Sequence, residues 1–302
     1  MWINEYRGAV TVLWTRRTRA AVKVAAILSA VLFGFSAFGS SESIQIRFES
    51  SEKIADRGHG FTEVSGLSLA LDGGFWAVSD NTAMLFQLDE AGHVQPRSSL
   101  DAETDLEGVA LDVGGGRILA VREDTNEVLA FSNAGHLTRH SLLSMSGASG
   151  LAPHFSANDT KDGLEGISVD PETGIVYVLK ERHPRLLIAI SPDLAQVRQV
   201  IALTGSAGFA SDKAEDDHLD VSGLAWDAGR RGLWITSDTG KALFFFDIDR
   251  MQAQGWVLVD EARGHPRRVS NAEGVALSSD GQTIFIVTDD GKDSRLLTYR
   301  ID

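Results

Sequence analysis

One unit, repeated five times after residue 60, constrains this chain more than any other feature. Its first half reads Glu63-Val-Ser65-Gly66-Leu67, Asp105-Leu-Glu107-Gly108-Val109, Gly163-Leu-Glu165-Gly166-Ile167, Asp220-Val-Ser222-Gly223-Leu224 and Asn271-Ala-Glu273-Gly274-Val275. The glycines are 42, 58, 57 and 51 residues apart. Each copy continues as a short apolar strand, then a turn such as Asp72-Gly73-Gly74 or Ser279-Asp280-Gly281. A second strand follows and ends in an acid: Asp80, Glu123, Glu181, Asp238 or Asp289. Every copy has a third apolar strand, and the first four have a fourth. Four strands per period of roughly 40–60 residues is a propeller blade. The spacing therefore predicts an all-β fold, a five-bladed β-propeller over residues 40–302. The fifth copy stops after its third strand, and Ile44 to Glu49 is expected to supply the missing outer strand, closing the ring and protecting its last edge.

Ahead of the repeats, Arg16, Arg17, Arg19 and Lys23 precede an uncharged apolar run, Val24 to Phe38, that ends in Gly39-Ser40-Ser41. Basic, then apolar, then small and polar is the order of an export signal. Residues 1–39 are expected to form an apolar helix, either a signal peptide or a membrane anchor. The run has 15 residues, at the upper end for a signal core and short of the roughly 20 that span a bilayer comfortably. Cleavage and retention both stay open. Positive charge before the run keeps the N-terminus cytoplasmic and exports the bulk. The expected location is the cell envelope: anchored in the inner membrane and facing the periplasm, or periplasmic after cleavage.

Charge and composition exclude several function classes. Residues 1–39 carry a net charge of +4, which leaves the rest near -18 within a total of -14. A surface this acidic repels phosphate backbones and favours cations and basic partners, so no nucleic-acid partner is expected. The chain has no cysteine, which removes disulfides, thiolate zinc sites, cysteine nucleophiles and lipid-modified cysteine.

The repeat gathers acids at one face. Strands alternate in direction within a blade, so the start of strand 1 and the end of strand 2 lie at the same face of the disc. Strand 1 is innermost, and by the period-two rule Glu107, Glu165 and Glu273 form a partial ring at the channel mouth, interrupted by Ser65 and Ser222. Carboxylates this close stay ionised only if a cation neutralises them. Calcium, with six to eight oxygen ligands in flexible arrangements, fits such a set. Zinc would want histidine or cysteine, and no histidine recurs in the repeat. Glu107, Glu165 and Glu273 are thus the expected metal ligands and Ca2+ the expected cofactor. The second-strand acids, present in all five copies, read instead as structural braces.

The long segments Ser144 to Asp162 and Thr204 to Asp220 open on the same face and are candidate recognition loops. No Gly-x-Ser-x-Gly elbow is present, and no catalytic residue is assigned. His183, beside Glu181, Arg182 and Pro184 at the acidic face, is the histidine most worth mutating. Arg122 and Lys180 precede their acids and read first as ion-pair partners of neighbouring carboxylates, with binding of an anionic substrate as the alternative. His136 and His140, on a strand, are about 13 Å apart and belong to the surface.

The [Asp/Glu]-x-[Glu/Ser]-Gly-[Leu/Val] start and the acid-terminated second strand resemble the SdiA-regulated family, over roughly residues 44 to 302. The resemblance implies a five-bladed propeller with a bound calcium site and no defined enzymatic activity, preceded by a membrane segment. Two functions follow. One is a calcium-binding propeller that recognises a small molecule or protein at its acidic mouth. The other is a calcium-dependent hydrolase (esterase, lactonase or phosphatase-like) using Glu165 or Glu107 as general base. The expected partners are a metal cation, an unknown small molecule or protein, and the membrane if the N-terminal segment is retained. The chain is expected to be a monomer.

Overall fold

The computed structural model describes residues 44–99, 105–155, 162–262 and 264–302. The expected N-terminal helix, and residues 156–161 of one candidate recognition loop, lie outside the described residues. No helix among the described residues is long and apolar enough to cross a membrane.

The chain forms a five-bladed β-propeller. Strand β1 (Ile46–Lys53) comes first. Blade 1 is β2 (Val64–Leu69), β3 (Phe75–Ser79), β4 (Thr82–Leu88) and β5 (Val94–Ser99). Blade 2 is β6 (Leu106–Asp112), β7 (Arg117–Arg122), β8 (Glu127–Ser132) and β9 (Leu137–Ser141). Blade 3 is β10 (Leu164–Val169), β11 (Val176–Lys180), β12 (Leu186–Ile190) and β13 (Val197–Ala202). Blade 4 is β14 (Leu224–Asp227), β15 (Gly232–Ser237), β16 (Ala242–Asp247) and β17 (Gln252–Val257). A short hairpin, β18 (Val259–Asp260) and β19 (Arg267–Arg268), leads to blade 5, β20 (Ala272–Leu277), β21 (Thr283–Thr288) and β22 (Arg295–Ile301). All pairings within blades are antiparallel, and β1 lies beside β22, with Ile46 opposite Ile301 and Lys53 opposite Arg295. That outer strand runs later than Ile44 to Glu49.

Burial follows strand position. The middle strands β11, β12 and β15 are buried along their whole length, whereas outer strands such as β13 and β17 expose most of theirs. The core is a set of layers between blades. Leu119, Val121, Leu164 and Ile188 join blades 2 and 3. Tyr177, Leu187, Leu233 and Phe244 join blades 3 and 4, and Phe75, Phe86, Val287 and Leu296 join blades 1 and 5. Each such side chain contributes about 1.5–3 kcal/mol on burial.

The five repeat glycines set how closely the innermost strands approach. A Cβ on Gly108 would lie 2.6 Å from the Glu165 carbonyl oxygen, one on Gly166 2.5 Å from that of Ser222, and one on Gly223 2.2 Å from that of Glu273. On Gly66 and Gly274 it would meet the backbone of the next blade at 2.9 and 2.7 Å. None of the five is left-handed, so close packing of backbone on backbone is what requires glycine here. The ring they make is the waist of the channel. It separates a carboxylate-lined mouth of about 610 Å³ from an opposite mouth of about 720 Å³, where Leu69, Leu111, Val169, Trp226 and Leu277 stand three residues after each glycine.

Candidate functional site

Strand pairing carries the acids to one mouth. Leu106 faces Arg122, Leu164 faces Lys180 and Ala272 faces Thr288, so the start of each strand 1 lies beside the end of strand 2. A register shift follows Val64, Leu106, Leu164 and Ala272 in blades 1, 2, 3 and 5. In these four blades the bulge falls at the repeat glycine and the residue before it, and re-aims that residue. Strict period-two alternation therefore does not hold at Glu107, Glu165 and Glu273.

All three nevertheless line the acidic mouth, together with Ser65 and Ser222. Among the described residues its wall contains eleven carboxylates and one cationic side chain, Arg182. Among the described residues, two sets of three carboxylates each place one oxygen per residue within 4.8 Å of the other two: Asp105, Glu107 and Glu123, then Glu123, Glu165 and Glu181. Glu107 and Glu165 thus each sit in a triad. Glu273 sits in neither, and its carboxylate accepts a hydrogen bond from the Ser222 hydroxyl.

The triads contain three residues outside the expected ligand set: Asp105, Glu123 and Glu181. Their signal was present in the sequence. Among the five second-strand acids only Glu123 and Glu181 are glutamates, one methylene longer than aspartate, and they fall in the same blades as Glu107 and Glu165. Bracing is also visible at these positions. Glu123 Oε1 accepts the Gly163 amide at 3.1 Å, Asp289 accepts the Gly291 amide at 3.2 Å, and Asp238 accepts the Asn271 amide. Glu123 therefore braces the next blade and joins both triads.

Enclosure makes the mouth hostile to negative charge. Burial is the largest cause throughout, and it pushes Glu165 and Glu107 well above the usual carboxylate range, with Glu107 repelling Glu165, and Glu123 and Asp80 repelling Glu107. Burial likewise raises Glu181 to about 8, although Arg182 opposes it, and Glu273 to about 8, although Ser222 opposes it. Glu123 rises to about 7 and Asp80 to about 7, the latter also repelled by Glu63. Asp105 and Asp289 shift upward for the same reason.

Some of this acidity lacks protein partners. Glu181 is only 9% exposed, its Oε1 lies 3.0 Å from Arg182 Nη1, and its buried Oε2 has no hydrogen-bond partner. Asp80 Oδ1 and Asp124 Oδ1 are buried and unpartnered too. Unpaired buried polar atoms are costly, and a bound cation would remove the cost. The donors are all oxygens, and oxygens within 4.8 Å of one another can share an ion at the roughly 2.3–2.6 Å calcium–oxygen distance. The residues present fit calcium.

The neighbouring basic groups are already engaged. Arg122 pairs with Asp124. Lys180 is 1% exposed, donates to the Arg182 carbonyl and lies 5.5 Å from the centre of the Phe155 ring. Arg182 Nε donates to Asp162 Oδ1 at 2.8 Å, and His183 Nδ1 lies 2.8 Å from Asp162 Oδ2. His140 is on β9, the outer strand of blade 2.

The described parts of the two candidate recognition loops are pinned against the blades. Met145, Leu151 and Phe155 are buried in the layer between blades 2 and 3. Phe209 and Leu219 are buried between blades 3 and 4, and the buried Arg185 donates to the carbonyls of Leu203 at 2.9 Å and Leu219 at 2.8 Å. Arg268 holds Asp212 through two contacts of 2.7 Å.

The family model described as SdiA-regulated matches residues 54–290. The chain belongs to the SdiA-regulated family. No curated protein matches it. Among solved structures this family member is similar to the glutaminyl cyclase of Myxococcus xanthus, at 16% identity and a TM-score of 0.56, over 85% of this chain and 96% of that one. It is also similar to the PQQ-bound aldose sugar dehydrogenase of Streptomyces coelicolor, at 13% identity and a TM-score of 0.50, over 86% and 98%. At these identities the likeness is one of fold.

Proposed function

We propose that this SdiA-regulated propeller is a calcium-binding protein of the cell envelope that recognises a small molecule or protein at its acidic channel mouth. The observation that carries the reading is Glu181 Oε2, buried and unpartnered within a triad of carboxylates. Glu107 and Glu165 hold the ion with Asp105, Glu123 and Glu181. Glu273, hydrogen-bonded to Ser222, adds to the negative field around it. The bound cation supplies positive charge where the protein offers mainly carboxylates, and so makes the mouth receptive to oxygen-bearing ligands. The basic-then-apolar N-terminus supports export, either as a retained anchor or through a cleaved signal.

Calorimetric titration of calcium into the metal-stripped full chain tests this. Saturable binding that weakens in both Glu107→Gln and Glu165→Gln supports the reading, and unchanged binding in both variants sinks it.

A second reading, calcium-dependent hydrolysis of esters, lactones or phosphate esters, rests on the half-exposed His183 held by Asp162 next to Glu181. Turnover of an aryl ester, lactone or phosphomonoester that needs calcium and is lost in His183→Gln would favour it over pure binding.

A further inference from the structure

The two mouths of the channel differ in kind. At the mouth opposite the acids, the residue three places after each repeat glycine is apolar in all five blades: Leu69, Leu111, Val169, Trp226 and Leu277. Each is half-buried rather than sealed in the core. Two places further on, at the rim of the same mouth, Leu71 is 73% exposed and Val113 57% exposed. Packing between blades does not account for apolar side chains left this open to water, and exposed apolar surface gathered in one place marks an interaction site.

The ring is held in shape. The Leu111 amide donates to Ser68 Oγ of blade 1 at 3.1 Å, and the Trp226 amide to Ser168 Oγ of blade 3 at 2.9 Å. The Trp226 indole stacks on Tyr177, with ring centres 5.3 Å apart and planes within 8° of parallel. Charge is confined to one side. Among the described residues, blades 1, 2 and 3 bring no charged side chain to this wall, whereas blades 4 and 5 bring Asp227, Arg230 and Asp280. Asp227 and Arg230 pair at 2.9 Å, and Arg230 also donates to the Gly281 carbonyl at 2.8 Å. Asp280 accepts from the Ser278 hydroxyl and from the Gln282 amide.

We infer that this mouth binds an uncharged apolar small molecule, seated on the ring against blades 1, 2 and 3. A cavity of about 720 Å³ with apolar walls and few polar groups has the size and lining of small-molecule sites. An anionic guest is disfavoured, because Arg230 is already held twice and the net charge near -18 after residue 39 repels it. A cationic guest gains little from Asp227 and Asp280, whose carboxylates are already bonded. The inference goes beyond the calcium reading and stands without it.

Photolabelling of the full chain with benzophenone, an uncharged apolar molecule that inserts into neighbouring C–H bonds under ultraviolet light, tests it, with labelled peptides located by mass spectrometry. Labelling is expected in residues 67–71 and 109–113, displaced by unreactive diphenylmethane and weaker with the anionic relative benzoylbenzoate. Leu111→Glu should cut labelling of 67–71 by about tenfold, since the guest must then strip water from a carboxylate, and Val113→Glu, at an exposed position where folding tolerates charge, by about threefold. Labelling that diphenylmethane does not displace, that benzoylbenzoate matches, or that Val113→Glu leaves unchanged overturns the inference. Unlabelled turns overturn it too, whether the mouth stays empty or is covered by a second copy of the chain.

Discussion

Replacing Glu181 by glutamine should make the cation-free protein more stable at alkaline pH and the calcium-loaded protein less so. The folded state raises the Glu181 carboxyl from the usual 4.5 to about 8. A carboxyl raised in the folded state gives stability that is fully present below 4.5 and is lost as pH climbs through about 8, because the folded chain holds a proton the unfolded chain has released. At about 1.4 kcal/mol per unit, keeping Glu181 ionised and buried above that range costs up to about 5 kcal/mol. Glutamine has nearly the same shape, leaves an oxygen for Arg182, and presents an amide donor to Glu123 and Glu165 where the carboxylate has an unpartnered oxygen. Its gain at pH 9 should be about 2–5 kcal/mol once relaxation of the wall is allowed for. At about 2–4 °C per kcal/mol for a domain of this size, the variant should melt roughly 5–15 °C above the unaltered chain. Below pH 5 the two should converge. With saturating calcium the order should reverse, since the variant has lost a ligand and ligand binding stabilises the folded state by mass action. Scanning calorimetry from pH 5 to 9, on metal-stripped and calcium-loaded protein, reads all of this. A variant that melts at or below the unaltered chain at pH 9 without metal would refute the reasoning.

Three further outcomes follow from the geometry. Gly166→Ala should destabilise by about 1–3 kcal/mol in urea unfolding, because its Cβ meets the Ser222 carbonyl at 2.5 Å and backbone must move; an unchanged midpoint would show that the waist is not tight. Asp227→Ala should cost about 2–4 kcal/mol, since the buried carboxylate accepts from Trp234 Nε1 at 3.1 Å and pairs with Arg230 at 2.9 Å, leaving the indole donor unpaired and Arg230 with the Gly281 carbonyl at 2.8 Å; the same unfolding assay checks it. Glu273→Gln should leave the number of bound calcium ions unchanged in dialysis, because Glu273 lies outside both triads.

The propeller was legible because its repeat is a covalent pattern: glycines, turns and strand-end acids recur whatever the blades pack against. The position of Glu107 and Glu165 at the mouth followed from the same pattern. What the pattern does not carry is contact between copies. Asp105, Glu123 and Glu181 join the cluster because the glycine waist brings blades 2 and 3 within backbone contact, and because two second-strand acids are glutamates. The bulges before the glycines break the alternation used to orient the ring, and no residue type marks them. The loop from residue 144 is polar enough to suggest a solvated recognition segment, yet Met145, Leu151 and Phe155 fill the gap between blades.

The proposed function requires a calcium ion on the carboxylates at this mouth. Anomalous diffraction from crystals grown with calcium chloride tests it most directly. A peak is expected within about 2.6 Å of carboxylate oxygens of Glu123 and Glu165 or of Asp105 and Glu107. Calcium peaks confined to other surfaces, with the mouth carboxylates bonded only to one another and to water, would contradict it.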